Sequence, residues 1–322
     1  MKRDIIFQSV LDSLLDDSHP FPPRYLHLFS DLEPAQLNSL MAVWPRISLA
    51  RRRALLDDLE ELAEVDTLLC YDDLARALLK DPDAQTRVLA IRLLWECEDT
   101  KLVPIFLDIL SKDEDVHARA AASTALGLFV YLGELEEIPA RIHHNVENRL
   151  LEAVHSADEI LVRRRALEAL GTSSRPEVPP LIEAAYAEKN PDWIVSALFA
   201  MGRSSDMRWE KQVVSKLRSK DEAIRVEATR AAGELSLQAA RPILLDLLAD
   251  EEDSETRREI IWTLSKIGGE GVRDRLEELL AVIEDDEEEE FLVEALDNLD
   301  FTEDMSIFDM FDFDIEEDDQ DT

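Results

Sequence analysis

A ten-residue pattern recurs six times along the chain and constrains the fold more than any other feature. TRVLAIRLLW begins at residue 86, ARAAASTALG at 118, VRRRALEALG at 162, WIVSALFAMG at 193, IRVEATRAAG at 224 and TRREIIWTLS at 256. Successive starts lie 32, 44, 31, 31 and 32 residues apart. Position two is arginine in Arg87, Arg119, Arg163, Arg225 and Arg257, with Ile194 the exception. Position five is Ala90, Ala122, Ala166, Ala197 or Ala228, and position eight is Ala125, Ala169, Ala200 or Ala231. Position nine is apolar throughout, and position ten is glycine four times. Positions two, five, eight and nine share one face of a helix, and the small residues on that face let another helix approach closely.

Three residues ahead of each block stands Asp83, Asp115, Glu159, Asn190, Asp221 or Asp253. Asp and Asn at that place predict helix N-caps, accepting hydrogen bonds from the unpaired amides of the first turn. In four copies an Asp precedes the repeated arginine by four residues, which suggests an Asp–Arg ladder between adjacent copies. After each block comes a short break and a second apolar helix, as in KLVPIFLDILSKD and AARPILLDLLADEED. Pro104, Pro179, Pro180 and Pro242 fall near its start, where a missing amide donor costs nothing.

Each copy is thus helix, turn, helix, turn. A pair this short cannot bury its apolar face alone, so neighbouring pairs must stack into a solenoid. Composition agrees: alanine and leucine dominate the apolar residues, only 6% of residues are aromatic, and there are eight glycines, which favours helices over hairpins.

The blocks VRRRALEALG and TRREIIWTLSKIGG resemble the HEAT repeat, and more narrowly the short HEAT-like repeat first associated with phycobilin lyases. The resemblance covers about residues 81–283. It implies an all-α fold, a right-handed α-α superhelix of stacked antiparallel helix pairs whose second helices line the concave side. It is specific for fold and weak for activity.

The flanks depart from the pattern. Residues 1–80 match poorly, with a faint copy in ARRRALLDDL at 50–59, and read as an irregular helical N-terminal cap. The long spacing between the second and third blocks places about a dozen extra residues in 130–157, lengthening a helix or adding a loop. His143 and His144 lie there, but neighbouring histidines on a helix point in different directions, and no metal site is expected. Residues 284–300 read as a C-terminal capping helix, or as a last partial copy.

The net charge of −37 is uneven: 22 Asp/Glu and no Lys/Arg follow Arg275. Residues 301–322 alternate acids with large apolar side chains, among them Phe308, Phe311 and Phe313. Such a segment is expected to be a disordered tail, serving solubility or binding as a peptide, either to a partner or back onto the chain's own second-helix groove in competition with a client. Nucleic acid and anionic membranes are disfavoured as partners by the charge, and a protein with a basic or mixed basic and apolar surface is favoured. No signal peptide or membrane span is visible, so the cytoplasm is the expected location. Cys70 and Cys97 lack metal-site spacing and read as buried free thiols.

The second helices carry a basic stripe formed by Lys101, Arg208, Lys211, Lys216, Arg218, Arg241 and Arg273, a candidate partner surface. Trp193 and Trp209 flank one copy and serve either as partner anchors or as core residues. No nucleophile signature, phosphate-binding loop or metal-ligand set is present, and no cofactor is expected. No histidine is followed by glutamate, so the His-Glu pairs that hold iron in the deoxyhypusine hydroxylase type are missing. The expected function is a non-enzymatic interaction scaffold. The alternatives are a phycobilin-lyase-like enzyme or lyase subunit, and an acidic nucleic-acid mimic.

Overall fold

The computed structural model describes the backbone of residues 2–251 and 253–316, and the side chains of residues 7–249, 251 and 253–304. The described residues form helices and connecting turns without a strand, and no helix among them is long and apolar enough to cross a membrane. Their contacts divide the chain into two compact units, residues 1–170 and 171–322.

In the first unit, α1 (Lys2–Leu15), a 3-10 turn over Pro23–Phe29 and α2 (Pro34–Val43) form an irregular end. Helix pairs then follow: α3 (Leu49–Val65) with α4 (Asp72–Leu78), α5 (Ala84–Arg92) with α6 (Val103–Lys112), and α7 (Val116–Glu134) with α8 (Ala140–His155). The unit closes with α9 (Ile160–Ala169). First helices pack in series, α3 on α5, α5 on α7 and α7 on α9, while α4 and α6 each pack on the next first helix and α8 contacts both its neighbours. Repeat packing therefore begins at α3, well before the expected boundary at residue 80. The faint copy at 50–59 is a working first helix, built with Leu55, Leu56 and Leu59 buried.

The second unit repeats the arrangement with α10 (Val178–Tyr186), α11 (Pro191–Arg203), α12 (Glu210–Lys216), α13 (Glu222–Glu234), α14 (Arg241–Asp250), α15 (Ser254–Ile267) and α16 (Val272–Leu280). Helix α17 (Asp286–Glu316) takes the place of the next first helix, packing on α15 and α16 with Leu292, Ala295 and Leu299 buried. The expected break at residue 301 is absent: α17 continues through it to Glu316. The chain contains no glycine or proline after Gly271, so no residue there stops a helix. The side chains of Phe308, Phe311 and Phe313, and residues 317–322, lie outside the described residues.

The repeat positions have the predicted roles. Ala90, Ala122, Ala166, Ala197 and Ala228 are all fully buried. All six predicted capping residues occupy N-cap positions, and every one except Glu159 accepts a backbone amide, as in Asp115 from His117 and Ala118 at 2.9 and 3.0 Å. Pro104, Pro179 and Pro242 sit in the first turns of α6, α10 and α14.

Two features differ from expectation. Gly127, Gly202 and Gly233 lie inside α7, α11 and α13 rather than ending them. Each is pressed against position eight of the following copy: a Cβ on Gly127 would meet Ala169 Cα at 3.2 Å, one on Gly202 would meet Ala231 Cα at 3.1 Å, and one on Gly233 would meet Thr263 Oγ1 at 3.2 Å. These glycines serve close approach between first helices.

The ladder also exists, but its acid usually precedes the capping residue. Arg87 reaches Asp113 at 2.6 Å, Arg119 reaches Asp158 at 2.6 Å and Arg225 reaches Glu251 at 3.5 Å. The same guanidinium donates backwards to its own loop, as Arg87 does to Asp81 O and Arg119 to Asp113 O, both at 2.8 Å. Arg87, Arg119 and Arg225 thus tie the turn before their own helix to the turn before the next. The Arg119 hydrogen bond holds the Asp158 carboxyl below the usual range. Burial pushes the Asp113 carboxyl up, but the bonds from Arg87 and the Asp115 amide, with the charges of Arg87 and Arg119, together bring it below the usual range. The ladder continues on either side of these rungs, in Arg52 with Asp81 at 3.3 Å ahead of the six blocks and in Arg257 of the last block with Glu288 at 3.9 Å.

Candidate functional site

Each basic residue of the predicted stripe lies on or beside a second helix, and most meet an acid or a carbonyl close by. Arg208, in the turn Met207–Trp209, pairs with Asp206 at 2.5 Å, and Arg218 pairs with Asp246. Arg241 donates to Gln238 Oε1 at 2.7 Å and to the carbonyl of Gly268, the residue that caps α15, at 3.3 Å. Arg273 binds Asp300 at 2.5 Å and Glu303 at 2.7 Å, both on α17. The hydrogen bonds to Glu303 and Asp300 raise its pKa further. Lys216 lies over the Tyr186 ring, 5.0 Å from its centroid, and Lys211 is exposed on α12. The stripe is therefore an alternation of charge rather than a uniformly basic field, and its last arginine already holds the acidic C-terminal helix.

Of the two predicted tryptophans, Trp209, in the turn ahead of α12, is 1% exposed and belongs to the core. It cannot anchor a partner. Trp193, in the first turn of α11, is partly buried and engaged with a neighbour.

An aromatic cleft that the sequence reading missed lies between α15 and α17. Trp262 and Phe291 pack at 6.3 Å between ring centroids, with Arg258 over Phe291 at 4.3 Å. Glu255, Glu259 and Glu294 complete the lining of a cleft of about 450 Å³. The sequence held a slight signal: Trp262 stands at position seven of its block, where the other copies carry Arg92, Thr124, Glu168, Phe199 and Arg230. Phe291 could not be assigned to it because the pairing of α17 with α15 is a tertiary fact.

In the first unit, Phe29, Asp31, Tyr71, Asp72, Arg76, Asp99 and Lys101 are among the residues lining a cavity of about 430 Å³. Arg76 pairs with Asp99 at 3.1 Å and donates to Cys97 Sγ at 3.0 Å. Burial pushes the Tyr71 hydroxyl up to about 12 and raises both the Cys70 and Cys97 thiols, so neither cysteine is poised as a thiolate. Both are free, but Cys70 is exposed, since it lies in the turn between α3 and α4 rather than on a packed helix face.

One further cluster joins Glu134 at the end of α7 to His143 and Glu147 on α8, with ligand atoms within 4.8 Å of one another. The expectation of no metal site weighed only His143 against His144 and overlooked Glu147, four residues beyond His143 and so on the same helical face.

Residues 71–140 and 210–297 match the family model for HEAT repeats. The match does not single out the phycobilin-lyase type. No curated protein matches the chain. Similar solved structures include Escherichia coli YibA, at 18% identity over 85% of this chain and 95% of that one, with a TM-score of 0.44. Human deoxyhypusine hydroxylase in complex with glycerol aligns at 16% identity over 83% and 97%, with a TM-score of 0.35. Importin beta aligns at 11% identity over 92% of this chain and 47% of its own, with a TM-score of 0.45.

Proposed function

Starting from a HEAT-repeat protein, its repeats matched at residues 71–140 and 210–297, we propose that the chain is a non-enzymatic scaffold that binds a protein partner with a basic or mixed basic and apolar surface. The observation that carries this reading is the cleft between α15 and α17. It pairs two aromatic rings with a rim of three glutamates, on a chain whose net charge is −37. An aromatic floor supplies desolvated contact area, and an acidic rim selects lysine or arginine on the partner and speeds encounter. A cytoplasmic location is part of the proposal, as is a modulating role for the acidic helix that Arg273 holds.

The test uses the full chain as bait at moderate salt, followed by affinity measurement with the purified partner. Trp262→Ala should weaken binding by at least about tenfold, the effect of losing a central anchor. Glu259→Lys should slow association. Equal affinity for wild type and Trp262→Ala would remove the cleft from the function. Affinity that collapses with rising salt yet ignores Trp262→Ala would favour the nucleic-acid-mimic reading instead.

A further inference from the structure

The α7–α8 pair is the one copy of the array with the 44-residue spacing, and the structure shows what the added residues build. Helix α7 has 19 residues against 13 in α11 and α13, and α8 has 16 against 10 in α6 and α14. Both helices of the hairpin are lengthened, and its end carries the Glu134–His143–Glu147 cluster.

Within the cluster, His143 Nε2 lies 3.5 Å from Glu147 Oε1 and 3.7 Å from Glu134 Oε1. Both gaps exceed a hydrogen bond. Nε2 is buried with no hydrogen-bond partner, on a residue only 9% exposed, an arrangement that proteins rarely leave uncompensated. The ring is closely seated: a Cβ on Gly133 would lie 2.2 Å from His143 Cδ2 and Cγ, so only glycine there lets the imidazole rest on the α7 backbone.

One imidazole nitrogen and two carboxylate oxygens form a donor set suited to a borderline divalent ion. Zinc binds such atoms at about 2.0–2.2 Å, and two donors 3.5 Å apart then subtend about 110° at the ion, close to tetrahedral. The three groups stand within ion-pair distance but too far apart for hydrogen bonds, a spacing that leaves room for a shared cation. We propose that Glu134, His143 and Glu147 bind one divalent transition-metal ion, with zinc as the reference. The ion pins the end of α7 to α8 and keeps one coordination position open.

The test is titration of the chelator-stripped full chain with Co²⁺ at moderate salt, which suppresses loose binding to the many surface acids. Visible ligand-field bands should saturate at one equivalent, disappear when Zn²⁺ is added, and accompany a rise in Tm. His143→Gln should abolish the bands, while His144→Gln should keep them. Far-UV circular dichroism checks that the variants fold. Should His143→Gln fail to fold, Glu134→Gln, whose side chain is 23% exposed at the helix end, reads the same site through loss of the bands. Absence of a one-equivalent spectrum in the wild type, or the same spectrum in a folded His143→Gln or Glu134→Gln variant, overturns the proposal.

Discussion

At the scale of single residues, the repeated arginine is a structural clamp. Arg119 makes a two-pronged bond to Asp158 at 2.8 and 2.6 Å and a third to the carbonyl of Asp113 at 2.8 Å. Arg119→Met keeps the stem and removes these charge-assisted bonds, and should cost about 2 kcal/mol in denaturant unfolding. The pH dependence follows from the depressed Asp158 carboxyl. The folded state binds this proton more weakly than the unfolded state, so the stabilisation is complete above the unfolded value near ~4 and lost as pH falls below it. Wild-type stability should therefore fall more steeply than that of Arg119→Met as pH drops below about 4 toward the lowered Asp158 value. Parallel slopes would mean that Asp158 is not stabilised by this arginine. Gly202 offers a second check. A valine there drives atoms into the backbone of Ala231, whose Cα would lie only 3.1 Å from the new Cβ, and should cost about 2 kcal/mol by overpacking.

At the scale of elements, the first helices carry most of the specificity of stacking. Their contacts are small residues and buried polar bonds, such as Thr263 Oγ1 donating to Thr229 O at 3.1 Å between α15 and α13. Most first helices of the repeats also depend on a side-chain cap. Asp115→Ala removes the acceptor for two amides of α7 and should destabilise the first unit by about 1 kcal/mol, measurable as a shift of the denaturant midpoint without a change of slope. Such caps were legible in the sequence because they are decided within one turn. So were the buried alanines, since helical period alone sets them on one face. The acid that each arginine reaches was not legible. Asp113, Asp158 and Glu251 stand 26, 39 and 26 residues beyond their arginines, and only the stacking register selects them over the capping residues nearby. The aromatic cleft was hidden for the same reason.

At the scale of the whole molecule, the acidic C-terminal region is continuous with the repeats. Helix α17 closes the apolar face left by α15 and α16, and Arg273 ties its Asp300 and Glu303 to the last second helix. Deleting residues 301–322 removes Glu303 and nine further acids, and should speed amide exchange in α16 while leaving α3–α5 unchanged. Unaltered exchange in α16 would show that the C-terminal residues contribute nothing to that surface. The same deletion tests modulation of the partner: a segment that competes for the second-helix side should, once removed, raise the affinity there.

The sequence by itself determined the helix pairs, their caps, their buried alanines and the need to stack, because each follows from periodicity and hydrogen bonding within a few residues. The tertiary structure alone decided which acids complete the arginine rungs and why the position-ten glycines are small. It also decided that Trp209 is core, and that Glu134 meets His143 and Glu147. Those outcomes depend on how far one helix slides along another, and that is set by side chains packing across dozens of intervening residues.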